Sequence, residues 1–302
     1  KMFDHEHSIQ HMEYPRHQFN EKPIIVPLQY IDLFVTPFEV DHIQQEFYLQ
    51  EIEKLKKSIP KFDDIEHINY HKLLSPLQSL NIIYPKGDDY LLGTRGLEYT
   101  MDYEYSSSPR LKHSFTYKEN ENMFDYENIG KYSIKIKTIL DHVQKAEGII
   151  LIYSQWIDSG LLPMALALES IGYKRYGSKT ENLIDNRKTK YSYSIICGDK
   201  ELSPDNDEEV EGLTNKNEHG QRVKIVLISQ TGTEGIDLNH IRQVHIMEPW
   251  YNMNRIEQII GRARRNCSHK KLDKEKQNVQ VFLYSTKLSD NYKNEALDMY
   301  LY

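Results

Sequence analysis

Near the C-terminal end of the chain, Gln258, Arg262 and Arg265 recur at a spacing that could do phosphate chemistry. On a helix of about 3.6 residues per turn they fall within roughly 60° of one another, while Met253, Ile256, Ile260 and Ala263 gather on the opposite side. An arginine stays charged in a protein, and its planar fork of donors suits phosphate oxygens. Two such forks and an amide, held by an apolar-backed helix, would grip a triphosphate. Taken alone, the same residues also suit a solvated basic helix end whose arginines complement the dipole.

The elements that must position this helix lie just upstream. Val226–Leu238 is an apolar strand running into a small-residue turn with Ser229, Gly232, Gly235 and Asp237, a layout that lets backbone amides approach phosphate. Gln243–Met247 supplies a further strand and leads into Glu248-Pro249-Trp250. Earlier, Gly148–Tyr153 is a continuous apolar run of the kind buried in a parallel sheet, and Leu161–Ser170 reads as a helix closed by Gly172. With Tyr193–Cys197, Val223–Ser229 and Val279–Tyr284 these runs make five strands, separated by stretches long enough for crossovers. The expected fold class is α/β, a doubly wound parallel sheet with helices on both faces and its functional loops at the carboxyl edge of the strands.

A chain of 302 residues with 39% hydrophobic content can bury a sizeable core in one or two domains. No apolar run approaches the roughly 20 residues of a membrane-spanning helix, so no membrane partner is expected. The two cysteines, Cys197 and Cys267, form no ligand spacing and are expected as free thiols. The net charge of −7 conceals a division along the chain. Residues 199–211 hold seven acids against Lys200, which reads as a solvated loop. Residues 255–276 hold eight Arg or Lys against three acids.

Residues 1–130 are less regular and are expected to form a linker, a helical segment and an irregular insertion ahead of a domain spanning 131–302. Helices are expected over 39–57 and over 67–83, the second kinked at Pro76. The Tyr-, Ser- and Asn-rich stretch 86–131 reads as irregular rather than core. His5, His7 and His11 lack a cysteine pair or acidic cluster nearby, so no metal site is assigned.

Gln-x-x-Gly-Arg-x-x-Arg at 258–265 resembles the last motif of superfamily 2 helicases. The Gly232-Thr233-Glu234-Gly235-Ile236-Asp237 turn is similar to the motif that precedes it, and Glu248-Pro249-Trp250-Tyr251-Asn252 to a segment of Swi/Snf-type ATPases. Tyr132–Ile136, Glu147–Gln155, Gly172–Tyr176 and Cys267-Ser268-His269 narrow the resemblance to the helicases of large cytoplasmic DNA viruses. Within that group it is similar to the poxvirus early transcription factor ATPase subunit and nucleoside triphosphatase I, and to their asfarvirus and giant-virus relatives.

This resemblance implies a RecA-like fold and ATP-driven movement on DNA during viral transcription. It implies Arg265 as an arginine finger, Arg262 beside it on the γ-phosphate, Gln258 orienting the cluster, Gly235 keeping the turn open and Asp237 near the ribose. Ser229 and Gly232 would contact a DNA phosphate, with Ser154 and Gln155 on the same track. The chain departs from the pattern in having no Gly-x-x-x-x-Gly-Lys-Ser/Thr and no Asp-Glu strand end for magnesium. ATP and Mg²⁺ would therefore be held mainly by a first RecA-like domain, and the chain alone would be inactive. It stops inside a helical pattern, 289–302, as if the natural protein continued. Further partners implied are viral RNA polymerase or another early transcription factor subunit, and the implied location is the virion and the viral factory of the host cytoplasm. The alternative is a non-catalytic docking module of a viral transcription complex or virion.

Overall fold

A computed structural model describes residues 30–39, 42–58, 70–105, 113–118, 122–177, 182–184, 191–200, 202–204, 206–233, 236, 238–248, 253–265 and 267–295. The described residues open with β1 (Tyr30–Glu39), α1 (His42–Ser58) and α2 (Tyr70–Ser79). Two hairpins follow, β2 (Tyr84–Lys86) with β3 (Asp89–Leu91) and β4 (Met101–Tyr105) with β5 (His113–Tyr117), separated by α3 (Gly93–Thr100). Then come α4 (Ile129–Tyr132), α5 (Ile134–Lys145), β6 (Ile149–Tyr153), α6 (Leu162–Ser170), β7 (Lys174–Arg175) and β8 (Ser192–Ile196). The chain continues through α7 (Asn206–Thr214), β9 (Ile225–Ile228), β10 (Ile241–Ile246), α8 (Met253–Ala263) and β11 (Asn278–Lys287).

Seven strands form one parallel sheet in the order β1-β11-β10-β6-β9-β8-β7. Chain order reverses about β6, whose neighbours are β9 on one side and β10 on the other, so a crevice opens at their carboxyl ends. All five residues of β6 are buried, as an unbroken apolar strand must be when both faces are covered. Alternation along the strands sorts the core into two layers. Ile150, Ile152, Tyr193, Ile195, Ile225 and Leu227 pack with α5 and α6. Ile149, Leu151, Val226, Ile228, Val244 and Ile246 pack with Leu213 of α7 and with Ile256, Ile259, Ile260 and Ala263 of α8. This is the RecA-like α/β arrangement, with helices on both faces.

The five expected strands are present within a few residues of their bounds. The expected helix at Leu161–Ser170 is α6, entered through a π-helical turn at Ile157–Leu161 and followed by Gly172 at φ +92°. Pro76 lies inside α2.

The N-terminal part holds more order than its composition suggests. β1, which carries no expected strand, pairs with β11 over ten residues and forms the sheet edge, where Pro37 can be accommodated. The stretch read as irregular contains two hairpins and a helix. Its Leu97, Met101, Phe115, Phe124 and Ile129, with Tyr84 just before it, share one core with α5, α6 and β6. The tyrosines and threonines that read as loop also fit a pleated, half-buried surface, and here tertiary packing decides. The acidic block is likewise not simply a loop. α7 begins with Asp207, Glu208 and Glu209 in its first turn, where acids favour the positive end of the helix dipole. Glu209 is buried and accepts from Ser203 Oγ at 3.0 Å. Cys197 is buried and Cys267 exposed. His5, His7 and His11 lie outside the described residues, and of 289–302 only 289–295 are described, with a 3-10 turn at Asp290–Glu295.

On the α5 side of the sheet, His245 stacks on Phe282 with ring centroids 4.6 Å apart and planes inclined by 4°. Its Nδ1 lies 2.6 Å from the Tyr284 hydroxyl and its Nε2 3.2 Å from Gln243 Oε1. Burial, aided by the neighbouring His142, pushes its pKa down to about 3. Burial also lowers His142, His240 and His269. For such a group the unfolded chain takes up the proton first, so the stabilisation is complete above the unfolded value and is lost as pH falls toward the folded one. From pH 7 to pH 5, His245 alone is expected to cost about 2 kcal/mol. Urea titrations across that interval should show the loss, and His245→Gln, which cannot titrate, should reduce it by about that amount, leaving the share of the other three histidines. An unchanged slope in the variant would refute the assignment.

Candidate functional site

Backbone hydrogen bonds align four strand ends at the carboxyl edge of the sheet. Met247 N–H donates to Tyr153 O at 3.0 Å, Ser154 N–H to Ile228 O at 3.3 Å, and Ser229 N–H to Ile196 O at 3.2 Å. The residues following β10, β6, β9 and β8 therefore stand side by side. Beyond β9 the chain makes a 3-10 turn at Thr231–Thr233 and then passes Ile236 and Leu238. An open cleft of about 810 Å³ lies beside this turn, lined in part by Gly198, Lys200, Asp207, Thr231, Gly232 and Asn239.

Of the residues expected on a nucleic-acid track, the two serines are built into the edge rather than displayed on it. Ser154 is fully buried and its hydroxyl donates to Glu248 Oε1 at 2.5 Å. Ser229 is 6% exposed, and its Oγ accepts from Gly232 N–H at 3.3 Å. A hydroxyl at a strand end satisfies loop amides as readily as a ligand, which spacing alone cannot distinguish. Gln155 is half-buried and Gly232 buried, while Gln230 and Thr231 are exposed. Thr231, one residue from Gly232, is an exposed hydroxyl-bearing residue at this edge.

α8 carries the expected arginine helix. Ile256, Ile259, Ile260 and Ala263 are buried against the sheet, Gln258 is exposed and Arg262 half-buried. The helix ends at Ala263, so Arg265 does not continue its polar face as the 3.6-residue period suggested. Ser268 closes the end: its N–H donates to Arg265 O at 3.0 Å and its Oγ to Ala263 O at 3.5 Å. This turn sends the half-buried Arg265 toward the loop after β9, where its Nη2 donates to Ile236 O at 3.5 Å. Gly235 and Asp237 lie outside the described residues. Among the described residues no group of three or more His, Cys, Asp or Glu side chains could hold a metal ion, and no helix is long and apolar enough to cross a membrane.

Residues 134–267 match the family described as the helicase conserved C-terminal domain. An ATP-dependent RNA helicase-like protein of Acanthamoeba polyphaga mimivirus is 35% identical over 159 residues, covering 52% of this chain and 26% of that protein. A termination factor NPH-I homolog of African swine fever virus is 34% identical over 182 residues, 50% of this chain and 26% of that protein. The C-terminal part of the Fun30 ATPase domain shares the fold, with a TM-score of 0.50 and 15% identity over 87% of this chain and 86% of that one. The chain spans about a quarter of the length of these two viral relatives, 26% of each, and 53% of another mimivirus protein to which it is 27% identical over 258 residues.

Glu248 and Lys135 are absent from the expected site, yet both are buried at the carboxyl edge of the sheet. Lys135 Nζ donates to Met247 O at 2.7 Å and Asn81 Oδ1 at 2.6 Å. Burial raises the Glu248 pKa, opposed first by the Lys135 charge and then by hydrogen bonds from Ser154, Gln155 and Asn81. The available signal was a carboxylate placed directly after an apolar strand and before a proline.

Proposed function

We propose that this chain supplies the second motor lobe of a viral DNA-dependent ATPase acting in transcription. In this reading a first RecA-like lobe holds most of the ATP and its Mg²⁺, and the two lobes close on one nucleotide. Arg265 is the arginine finger, Arg262 grips the γ-phosphate beside it, and Gln258 orients them. Gly235 keeps the intervening turn open, and Asp237 serves the ribose or the coupling path. As the bond between the γ-phosphorus and the leaving oxygen breaks and water attacks, the guanidinium neutralises the charge that develops on the phosphoryl oxygens. DNA phosphates run along Gln155, Thr231 and the Gly232 turn, whose shape Ser154 and Ser229 hold; such contacts position a strand without reading bases. RNA polymerase or another early transcription factor subunit is the proposed partner, and the virion and viral factory are the proposed location.

The observation that carries this reading is the Arg265 guanidinium beside Ile236 O, in the loop that leaves the same carboxyl edge as Gln155 and Thr231. The testing experiment measures ATP turnover by the 302-residue chain and by the full-length protein, each with and without duplex DNA or single-stranded RNA. The expected outcome is no turnover by the chain and DNA-stimulated turnover by the full-length protein. Turnover by the chain alone would refute the division of labour, and stimulation by RNA but not DNA would replace the proposed substrate.

A further inference from the structure

One buried carboxylate joins two segments of the carboxyl edge that the proposed motor must move together. Glu248, 3% exposed, accepts from Asn81 Nδ2 at 2.5 Å, from Ser154 Oγ at 2.5 Å and from the Gln155 N–H at 3.0 Å. Lys135, 2% exposed, binds Asn81 Oδ1 and the Met247 carbonyl, so its charge sits beside the carboxylate through two shared neighbours. Ser133 Oγ donates to the Asn81 carbonyl and accepts from Ile136 N–H at 3.0 Å, which fixes the start of α5 on the same cluster. Asn81 also donates to Ser159 O at 3.1 Å, holding the π-helical turn that follows Gln155. Gly160 lets that turn close, because a Cβ there would lie 1.9 Å from Ser154 Oγ.

Burying two opposite charges carries a desolvation penalty that apolar residues of similar volume would avoid, so strand-end packing alone does not call for them. A carboxylate offers something that an apolar side chain cannot: two oxygens that accept from three donors on different segments at once. On one side the chain leaves Glu248 for residues 249–252 and the arginine helix α8. On the other, Gln155 stands at the edge proposed to meet nucleic acid. The carboxylate therefore ties the Gln155 backbone to the residue that follows β10, with four residues of chain between it and α8.

We propose that Glu248, with Lys135 and Asn81 behind it, is a positioning residue that couples the nucleic-acid edge to the arginine helix and so sets the nucleic-acid dependence of ATP turnover. This inference rests on the motor reading above. Glu248→Gln keeps the shape but turns a donor amide toward the Gln155 N–H or the Asn81 amide nitrogen, which can only donate, and so releases one of them. Lys135→Met removes the compensating charge.

The test follows ATP turnover of the full-length protein against duplex DNA concentration. In both variants turnover without DNA is expected to stay within about twofold of the parent, while the half-stimulating DNA concentration rises about tenfold or more, the scale of losing one hydrogen bond to a charged group. Ile139→Val, a buried trimming on the same α5, should lower the melting temperature yet leave the DNA dependence unchanged. If Glu248→Gln fails to fold, Asn81→Ser removes a donor to the carboxylate and carries the same expectation. The proposal is overturned if the hub variants respond to DNA as the parent does, if Ile139→Val reproduces their defect, or if basal and stimulated turnover fall in parallel with thermal stability. A parent protein that no nucleic acid stimulates would defeat the motor reading itself, an outcome distinct from a stimulated parent with indifferent variants.

Discussion

Replacing Arg265 by alanine in the full-length protein should lower the rate of ATP hydrolysis by about 10³–10⁵-fold while leaving ATP affinity within a few-fold of the parent. The split follows from where the charge is needed. Ground-state binding is dominated by the lobe that cradles the phosphates, whereas a guanidinium reaching in from a second lobe acts on charge that develops only as the γ-phosphoryl departs. Arg265 suits this role because the chain breaks the helix before it. Ser268 takes up the last helical carbonyl, and the arginine is carried to the loop after β9 instead of lying along α8. Arg262, still on the helix, should give a smaller loss on replacement. Single-turnover hydrolysis alongside equilibrium binding of a non-hydrolysable ATP analogue separates the two effects. An Arg265→Ala protein that keeps more than about a tenth of the parent rate would fall far outside the range for such a group and remove it from the chemistry.

What could be read in advance was whatever depends on local periodicity. The apolar runs of β6, β8, β9, β10 and β11 announce a parallel sheet because a strand covered on both faces has no polar alternation to hide it. The face of α8 was equally plain, its buried Ile256, Ile260 and Ala263 lying one turn apart. What escaped depends on contacts distant in sequence. β1 is a strand by virtue of pairing with β11 some 250 residues later, a partnership with no local signature. The hairpins at 84–117 come from a tyrosine- and serine-rich segment whose order rests on a core shared with α5 and α6. At the site, the serine positions were legible but their orientation was not. Ser154 and Ser229 turn inward because Glu248 and the Gly232 amide are there to meet them. Glu248 stayed hidden for the same reason: its partners Asn81 and Ser154 are 167 and 94 residues away.

The turn after β9 offers the other large effect, and it turns on one missing methyl group. A Cβ on Gly232 would sit 2.1 Å from the Ile196 carbonyl oxygen and 2.8 Å from its carbon, with Ile228 Cγ1 at 3.1 Å behind. The nearest obstacles are backbone at the end of β8, so no rotamer change relieves them and the turn itself must lift away from the strand. Gly232→Ala should therefore cost about 1–3 kcal/mol, as overpacking of a closed site does. That corresponds to a melting temperature lower by several degrees. The functional loss should exceed the loss in stability, because lifting the turn breaks the Gly232 N–H bond to Ser229 and displaces Thr231 from the edge proposed to meet phosphate. Duplex affinity of the full-length protein is expected to fall about tenfold or more, as when a well-aligned charged hydrogen bond is lost. Gly261→Ala supplies the contrast. Nothing lies within 4 Å of a Cβ there, and the site is inside α8, so alanine should raise the stability of the chain by about 0.5–1 kcal/mol. Calorimetry on both variants, with fluorescence anisotropy of a labelled duplex, reads the two effects separately. If Gly232→Ala melts with the parent and binds duplex equally well, the turn has slack that its packing against Ile196 denies, and the phosphate path must be drawn elsewhere on the edge.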